Sequence, residues 1–437
     1  MRILPWLSLF TLVACSGTSK ENLLPVHDSA TEKTSAVDTL AVDFAAVDST
    51  ALDTAAALDS VKPVKEDSPV FEVSFFAIGD VLFHTPLFKA CKEDSSKCNY
   101  DYVFAPWKKD IQAADIAIVN QETVFVPRSE GYASYPSFGS PEEIGLAEIE
   151  AGFDIVTHAT NHTMDRRASA VDYTIDFWTG KSANVLGIHK TQAGQDSVFT
   201  LDKKGIRFSF VNFTYGLNGQ KLPADRPYLV DLLDSNGDWV EMVRKAEAEA
   251  EVTVAFMHFG TEYVELPTAE ARAYAEQAID AGADILVCTH PHVIEPYGIY
   301  TTKAGNRALV YWSLGNFVSN QQDISTNLGG VAKFAVRKVV KGDSSRLEVS
   351  SATFEGSVTQ QEVGNYHAIP LVAYSDSLAE HHLLKAKKPE LSLKAFEELF
   401  HKNLENAPKC NTEDPANVLP LEIVNLSAKG FRKTAAP

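Results

Sequence analysis

The chain has 437 residues, of which 45% are hydrophobic, 10% aromatic and 22% charged, a composition that supports a packed core and excludes collagen-like, coiled-coil and wholly disordered classes. Its 58 acidic residues outnumber the 39 Lys and Arg for a net charge of −19, which repels phosphate backbones, so no nucleic acid partner is expected. Five cysteines are too few for a disulfide scaffold, and no apolar run reaches the roughly 18–20 residues of a membrane-spanning helix.

Arg2, the mostly apolar residues 3–14 and then Leu12-Val13-Ala14-Cys15 predict an export signal over 1–15, cut just before the cysteine. The segment resembles a bacterial lipoprotein lipobox. That resemblance implies lipidation of the Cys15 thiol and an extracytoplasmic protein held on a bacterial membrane, since buried acyl chains contribute about 0.8 kcal/mol per methylene. A soluble secreted protein is the alternative. Ser16, in place of Asp after the cysteine, resembles the outer-membrane sorting pattern. Residues 16–69 are rich in Ala, Ser, Thr, Asp and Val and nearly free of aromatics, as expected of a disordered acidic tether whose burial cannot offset its ordering entropy. Within it Val37-Asp38, Val42-Asp43, Val47-Asp48 and Leu52-Asp53 recur at a spacing that matches neither helix nor strand.

The texture changes at Val70. Residues 70–78 form an apolar, aromatic and β-branched run closed by Gly79-Asp80, the pattern of a buried strand delivering a carboxylate at its end. The same grammar repeats: 115–119 leads into Asn120-Gln121-Glu122, 153–157 into Asn161-His162, 252–257 into His258, and 285–289 into His290-Pro291-His292. Helical patterns intervene at 141–152, 239–250 and 268–282, the last opening at Thr268 with Glu270 in its first turn. Such alternation predicts an α/β fold. Further strands are expected at 331–340 and 347–354, and a helix around 391–404.

Ligands of open α/β sheets gather beyond the carboxyl ends of the strands, so the five polar tips are expected to converge. Carboxylate, amide and imidazole together suit zinc, manganese or iron, and the cysteines do not join the set. His290 and His292 are read as lying on one side of an extended segment, close enough to serve neighbouring ions. A carboxylate shared by two ions suits phosphoester hydrolysis, and two divalent ions are the expected cofactor.

Gly79-Asp80, Asn120-Gln121-Glu122, Thr160-Asn161-His162, the run His258-Phe259-Gly260-Thr261-Glu262-Tyr263, His290-Pro291-His292 and Ser313-Leu314-Gly315-Asn316-Phe317 resemble, in order and spacing, the poly-gamma-glutamate capsule biosynthesis (CapA) family, a branch related to the calcineurin-like metallophosphoesterases. The resemblance, which runs from about Phe75 to Gln321, implies a four-layer α/β/β/α metallophosphoesterase-like sandwich; with the later strands placed in it, that domain is expected over 70–375, followed by a C-terminal helical appendage and tail over 376–437. It implies Asp80 and His292 on one metal, Asn161, His258 and His290 on the other, and Glu122 between them. His162 would be the proton donor or a phosphate contact. Position 82 departs from the superfamily's Asp-x-His motif by being Leu, which leaves His84 as a substitute ligand, a pocket residue, or a side chain pointing elsewhere. Glu262 is read as a carboxylate orienting an imidazole, or else a solvated loop residue. Asn316 is a pocket residue or plain turn chemistry. The implied partners are a phosphoester or anionic polymer substrate and the membrane proteins of capsule synthesis. The rival function is a non-catalytic lipoprotein that uses metal to bind polymer or a partner.

Outside this set, Cys91 and Cys98 are expected to close a disulfide in an exported protein, Cys288 to pack in the core, and His158 to be a buried structural histidine.

Overall fold

A computed structural model describes residues 69–405, except 235, 236 and 343, together with 424–425 and 432–433. The expected export signal, Cys15, and the tether up to residue 68 lie outside the described residues.

The apolar run from Val70 forms β1 (Val70–Val81), and β2 (Ile116–Gln121), β3 (Ile155–Thr157) and β4 (Asn184–Leu186) follow parallel to it in that order. Helices Thr85–Glu93, Glu143–Ala151 and Arg167–Trp178 lie on the crossovers. A second sheet holds β5 (Phe199–Lys203), β6 (Ile206–Thr214), β7 (Val252–His258), β8 (Ile285–Thr289), β9 (Ile294–Thr301) and β10 (Arg307–Leu314), ordered β5-β6-β7-β8-β10-β9. Helices Asp238–Glu249 and Ala269–Ala281 connect its parallel strands. The chain then returns to the first sheet through β11 (Asn316–Val318), β12 (Leu328–Lys341), β13 (Ser344–Glu362) and β14 (Asn365–Pro370), with β12 antiparallel to β1.

Alternation along β1 shows why residues 75–78 are apolar at every step. Phe75 and Ala77 face the second sheet, whereas Phe76 and Ile78 face the helices behind the first. The Phe75 ring stacks on Phe334 of β12 at 4.6 Å and meets the Phe208 ring of β6 edge-on at 5.2 Å. Truncating so central a ring to alanine costs about 3–5 kcal/mol. On the far face of the second sheet, Ala255, Met257 and Leu286 pack against Val243, Ala275 and Ile279 of its helices. The result is helices, sheet, sheet, helices: the four-layer α/β/β/α sandwich that the family resemblance implies.

Local chemistry sets the helix limits. Thr268 accepts a hydrogen bond from the Ala271 amide at 3.1 Å, and Gly282, with φ 118°, ends that helix in the left-handed region. Cys91 and Cys98 form a disulfide. The C-terminal helix Leu393–Glu405 buries Phe396 in the inter-sheet core and stacks Phe400 on Phe354.

Candidate metal centre

Five strand ends deliver the polar tips to one place. Asp80 is the penultimate residue of β1, Glu122 directly follows β2, and Asn161 and His162 occupy the loop after β3. From the second sheet come His258, the last residue of β7, and His290 and His292 just beyond β8. All seven side chains are buried.

Glu122 is the hub. Ligand atoms of Asp80, Glu122 and His292 lie within 4.8 Å of one another, and so do those of Glu122, His258 and His290. Its Oε1 stands 3.8 Å from His258 Nε2, 3.9 Å from His292 Nε2 and 4.0 Å from His162 Nε2. Asn161 joins the second group through its Oδ1, 2.9 Å from His258 Nε2. Two groups of possible ligands sharing one carboxylate are therefore brought together. Cys91, Cys98 and Glu143 form another acidic and sulfur-bearing group, but its thiols are tied up in the disulfide.

Donor chemistry fits a divalent cation. Among the described residues, both oxygens of buried Glu122 and Nδ1 of buried His290 have no hydrogen-bond partner, an expensive state that a positive ion relieves. Burial and then the Asp80 charge push the Glu122 carboxyl well above its ordinary range. Burial, reinforced by neighbouring imidazoles, holds His258 well below its usual value and His290 at about 3, so both rings are neutral, the form in which imidazole ligates a metal. Burial also depresses His292, but the Glu122 and Asp80 carboxylates outweigh it and raise the ring to about 9. A cation would displace that proton.

Neighbouring groups fix each ligand. Asn120 donates to Asp80 Oδ1 at 2.8 Å, and Thr289 Oγ1 lies 2.9 Å from His258 Nδ1. His292 Nδ1 lies between Asp80 Oδ2 at 3.1 Å and Asn316 Oδ1 at 3.0 Å. Asn316 is locked in turn, donating to the Thr326 carbonyl and Gln321 Oε1, both at 2.9 Å. Gly79 lets β1 approach the turn that carries Asn316: an added Cβ would stand 2.0 Å from the Gly315 carbonyl, which accepts from the Asp80 amide at 2.9 Å. His162 Nδ1 donates to Asp165 Oδ2 at 2.7 Å, which aims Nε2 at the cluster.

Some sequence readings need correction. His290 and His292 do not lie on an extended segment: their φ values of 103° and 61° bend the chain sharply after β8 and send the two rings into different triads. Such backbone costs about 1–3 kcal/mol per residue and persists where surroundings enforce it, as at ligand clamps. Glu262 is exposed and hydrogen-bonds Tyr263, so Thr289, not Glu262, orients His258. His84 lies beside the cluster but in neither triad; its Nδ1 is 3.0 Å from the Leu82 carbonyl and its ring packs edge-on against Phe138. Burial lowers it to about 4. Leu82 itself is core. His158 accepts from the Trp178 indole at 2.9 Å inside the helical layer. Sequence reasoning missed Asp165, Thr289 and Asn218, the last with its side-chain amide 3.3 Å from His162 Nδ1. Asp165 lies three residues after His162, a spacing that offered a weak signal.

A buried carboxylate hub between two sheets, ringed by imidazole and amide donors, defines a candidate divalent-metal protein of the four-layer α/β class. Residues 74–321 match the family model described as bacterial capsule synthesis protein PGA_cap, and the chain belongs to that family. It is 25% identical over 289 residues to the capsule biosynthesis protein CapA of Bacillus anthracis, a match covering 64% of this chain and 67% of that one. Identity is 27% over 202 residues to the PGA biosynthesis protein CapA of Bacillus subtilis, covering 46% of this chain and only 51% of the relative. The NAD nucleotidase of Haemophilus influenzae superposes with a TM-score of 0.37 and 10% identity over 76% of this chain and 60% of its own, a likeness that carries no functional weight.

Proposed function

We propose that this protein is a lipid-anchored, extracytoplasmic phosphoester hydrolase that uses two divalent ions, manganese, zinc or iron, in the synthesis, anchoring or export of a poly-gamma-glutamate or similar capsule polymer. The observation that carries the reading is Glu122, a buried carboxylate without hydrogen-bond partners shared by two ligand triads. Asp80 and His292 hold one ion, and Asn161, His258 and His290 the other. Bound ions would supply Lewis-acid polarisation of a phosphoryl oxygen and an activated water. His162, aimed by Asp165, places Nε2 to give a proton to the departing ester oxygen. Burial of the whole set keeps bulk water from competing with these contacts. The printed names of the two relatives support the capsule role. Cys15 carries the lipid, and capsule-synthesis membrane proteins are the neighbours it would meet.

Leu82 favours a second reading, in which the centre binds metal and polymer without turnover, because an imidazole implied at that position is replaced by a core side chain. Metal analysis of protein lacking residues 1–69, followed by a phosphodiester assay with manganese or zinc, separates the two. Two ions per chain and turnover, both lost in Glu122→Ala, are expected; stoichiometric metal with no turnover on any phosphoester selects the binding role. Radiolabelled lipid incorporation should disappear in Cys15→Ala, and its persistence would remove the anchor.

A further inference from the structure

Three tyrosines at the rim of the centre expose much of their rings: Tyr135 is 77% exposed, Tyr263 55% and Tyr215 40%. Single exposed aromatics on a protein surface need no explanation. These three lie near different imidazoles of the cluster, Tyr135 by way of Phe138. The Tyr215 ring lies 4.6 Å from that of His290, and Tyr263 lies 6.1 Å from His292. Tyr135 packs at 6.5 Å on Phe138, whose ring meets His162 at 4.7 Å.

Tyr263 is held there against its own backbone preference. Its φ is 66°, a left-handed conformation that bulky side chains rarely adopt, and its amide donates to the Pro291 carbonyl at 2.8 Å, between the two ligand histidines. Its hydroxyl accepts from Gln321, which also accepts from Asn316. Core packing does not account for the strain, because more than half of the residue faces solvent. Strain enforced at the edge of a ligand cluster points to a role in binding.

Resting on the phosphoester reading above, we infer that Tyr135, Tyr215 and Tyr263 form an aromatic rim that seats a ring in the leaving group, so that the substrate is a phosphoester of a ring-bearing alcohol. An exposed aromatic face binds the flat face of another ring, whether an aryl group or the C–H face of a pyranose. The phosphoryl group then enters the centre while the ring stays at the mouth.

The test measures binding to metal-loaded full-length protein by calorimetry, using phosphonates that cannot be hydrolysed. Phenylphosphonate should bind about tenfold more tightly than methylphosphonate, the increment of one stacked ring. Tyr263→Asn, whose new residue tolerates the left-handed backbone, and Tyr135→Ala should each cut that ratio to about threefold or less. A hexopyranosyl phosphonate that binds more tightly than the phenyl compound assigns the rim to sugars, and one that binds less tightly assigns it to planar rings. Equal affinity for phenyl and methyl compounds, or an unchanged ratio in both variants, overturns the ring inference alone. Failure of either phosphonate to bind overturns the phosphoester reading and the inference with it.

Discussion

Glu122 and Glu148 are both fully buried, both have two oxygens without a hydrogen-bond partner, and both carboxyls are pushed well above their ordinary range. Their surroundings differ. Around Glu122 stand three imidazole nitrogens within about 4 Å and the Asp80 charge, whereas burial is the sole cause of the Glu148 shift, within the helix Glu143–Ala151. A buried orphan acid alone therefore does not mark a site. Convergence of donors from both sheets does, and the two residues should answer opposite questions when changed.

Glu122→Gln should produce the largest effect on turnover. Removing the shared carboxylate is expected to lower metal affinity and phosphoester turnover at least about 100-fold, more than loss of an outer hydrogen bond costs. The metal-free variant should melt higher than the metal-free parent, because a buried acid has gone. Elemental analysis and thermal melts read both outcomes, and retention of full metal content would break the contrast with Glu148. Asp165→Asn comes next: turnover should fall about 10–100-fold with metal content unchanged, since it steers His162 and holds no ion. Loss of metal in that variant would move Asp165 into the ligand set. Thr289→Val, which frees His258 Nδ1, should weaken metal binding about tenfold by competition with a chelator.

Glu148→Gln should leave turnover within about twofold and act on stability alone. The folded carboxyl lies well above the 4.5 of free glutamate, so the folded chain keeps a proton that the unfolded chain gives up. Stability contributed by that proton is present below about pH 4.5 and is lost as pH rises towards the folded value. The variant removes this slope and should gain about 1–2 kcal/mol at pH 8, but little at pH 4, in denaturant titrations. Identical slopes for both proteins would show that Glu148 has a partner after all.

Much of this was legible in the sequence because strand ends announce themselves. The run closing at Gly79-Asp80 is apolar at every position from Phe75 to Ile78, as a strand covered on both faces requires, and its polar tip therefore belongs to the sheet's carboxyl end. Thr268 and Gly282 bracket their helix by local hydrogen bonding, so that helix too is readable. Resemblance, and not spacing, supplied the triad membership. What escaped was set by loop geometry. Thr289 carries no periodic signal and acts only because β8 aligns it with His258, its registered partner on β7. The bend at His290 and His292 is imposed by contacts distant in sequence, such as the Asp80 carboxylate. Glu262 misled for the same reason: proximity to His258 along the chain did not become a hydrogen bond to it, which Thr289 and Asn161 make instead.

At Gly315 the chain leaves β10 of one sheet and enters β11 of the other, and there the Gly315 carbonyl takes the amide proton of Asp80. One peptide thus registers the oxygen-donating half of the centre against the imidazole-donating half. The centre is accordingly not portable. A designer who transplants the tips of either sheet onto another scaffold carries away half a chelate, and any side chain introduced at Gly79 wedges the two halves apart without touching a single ligand.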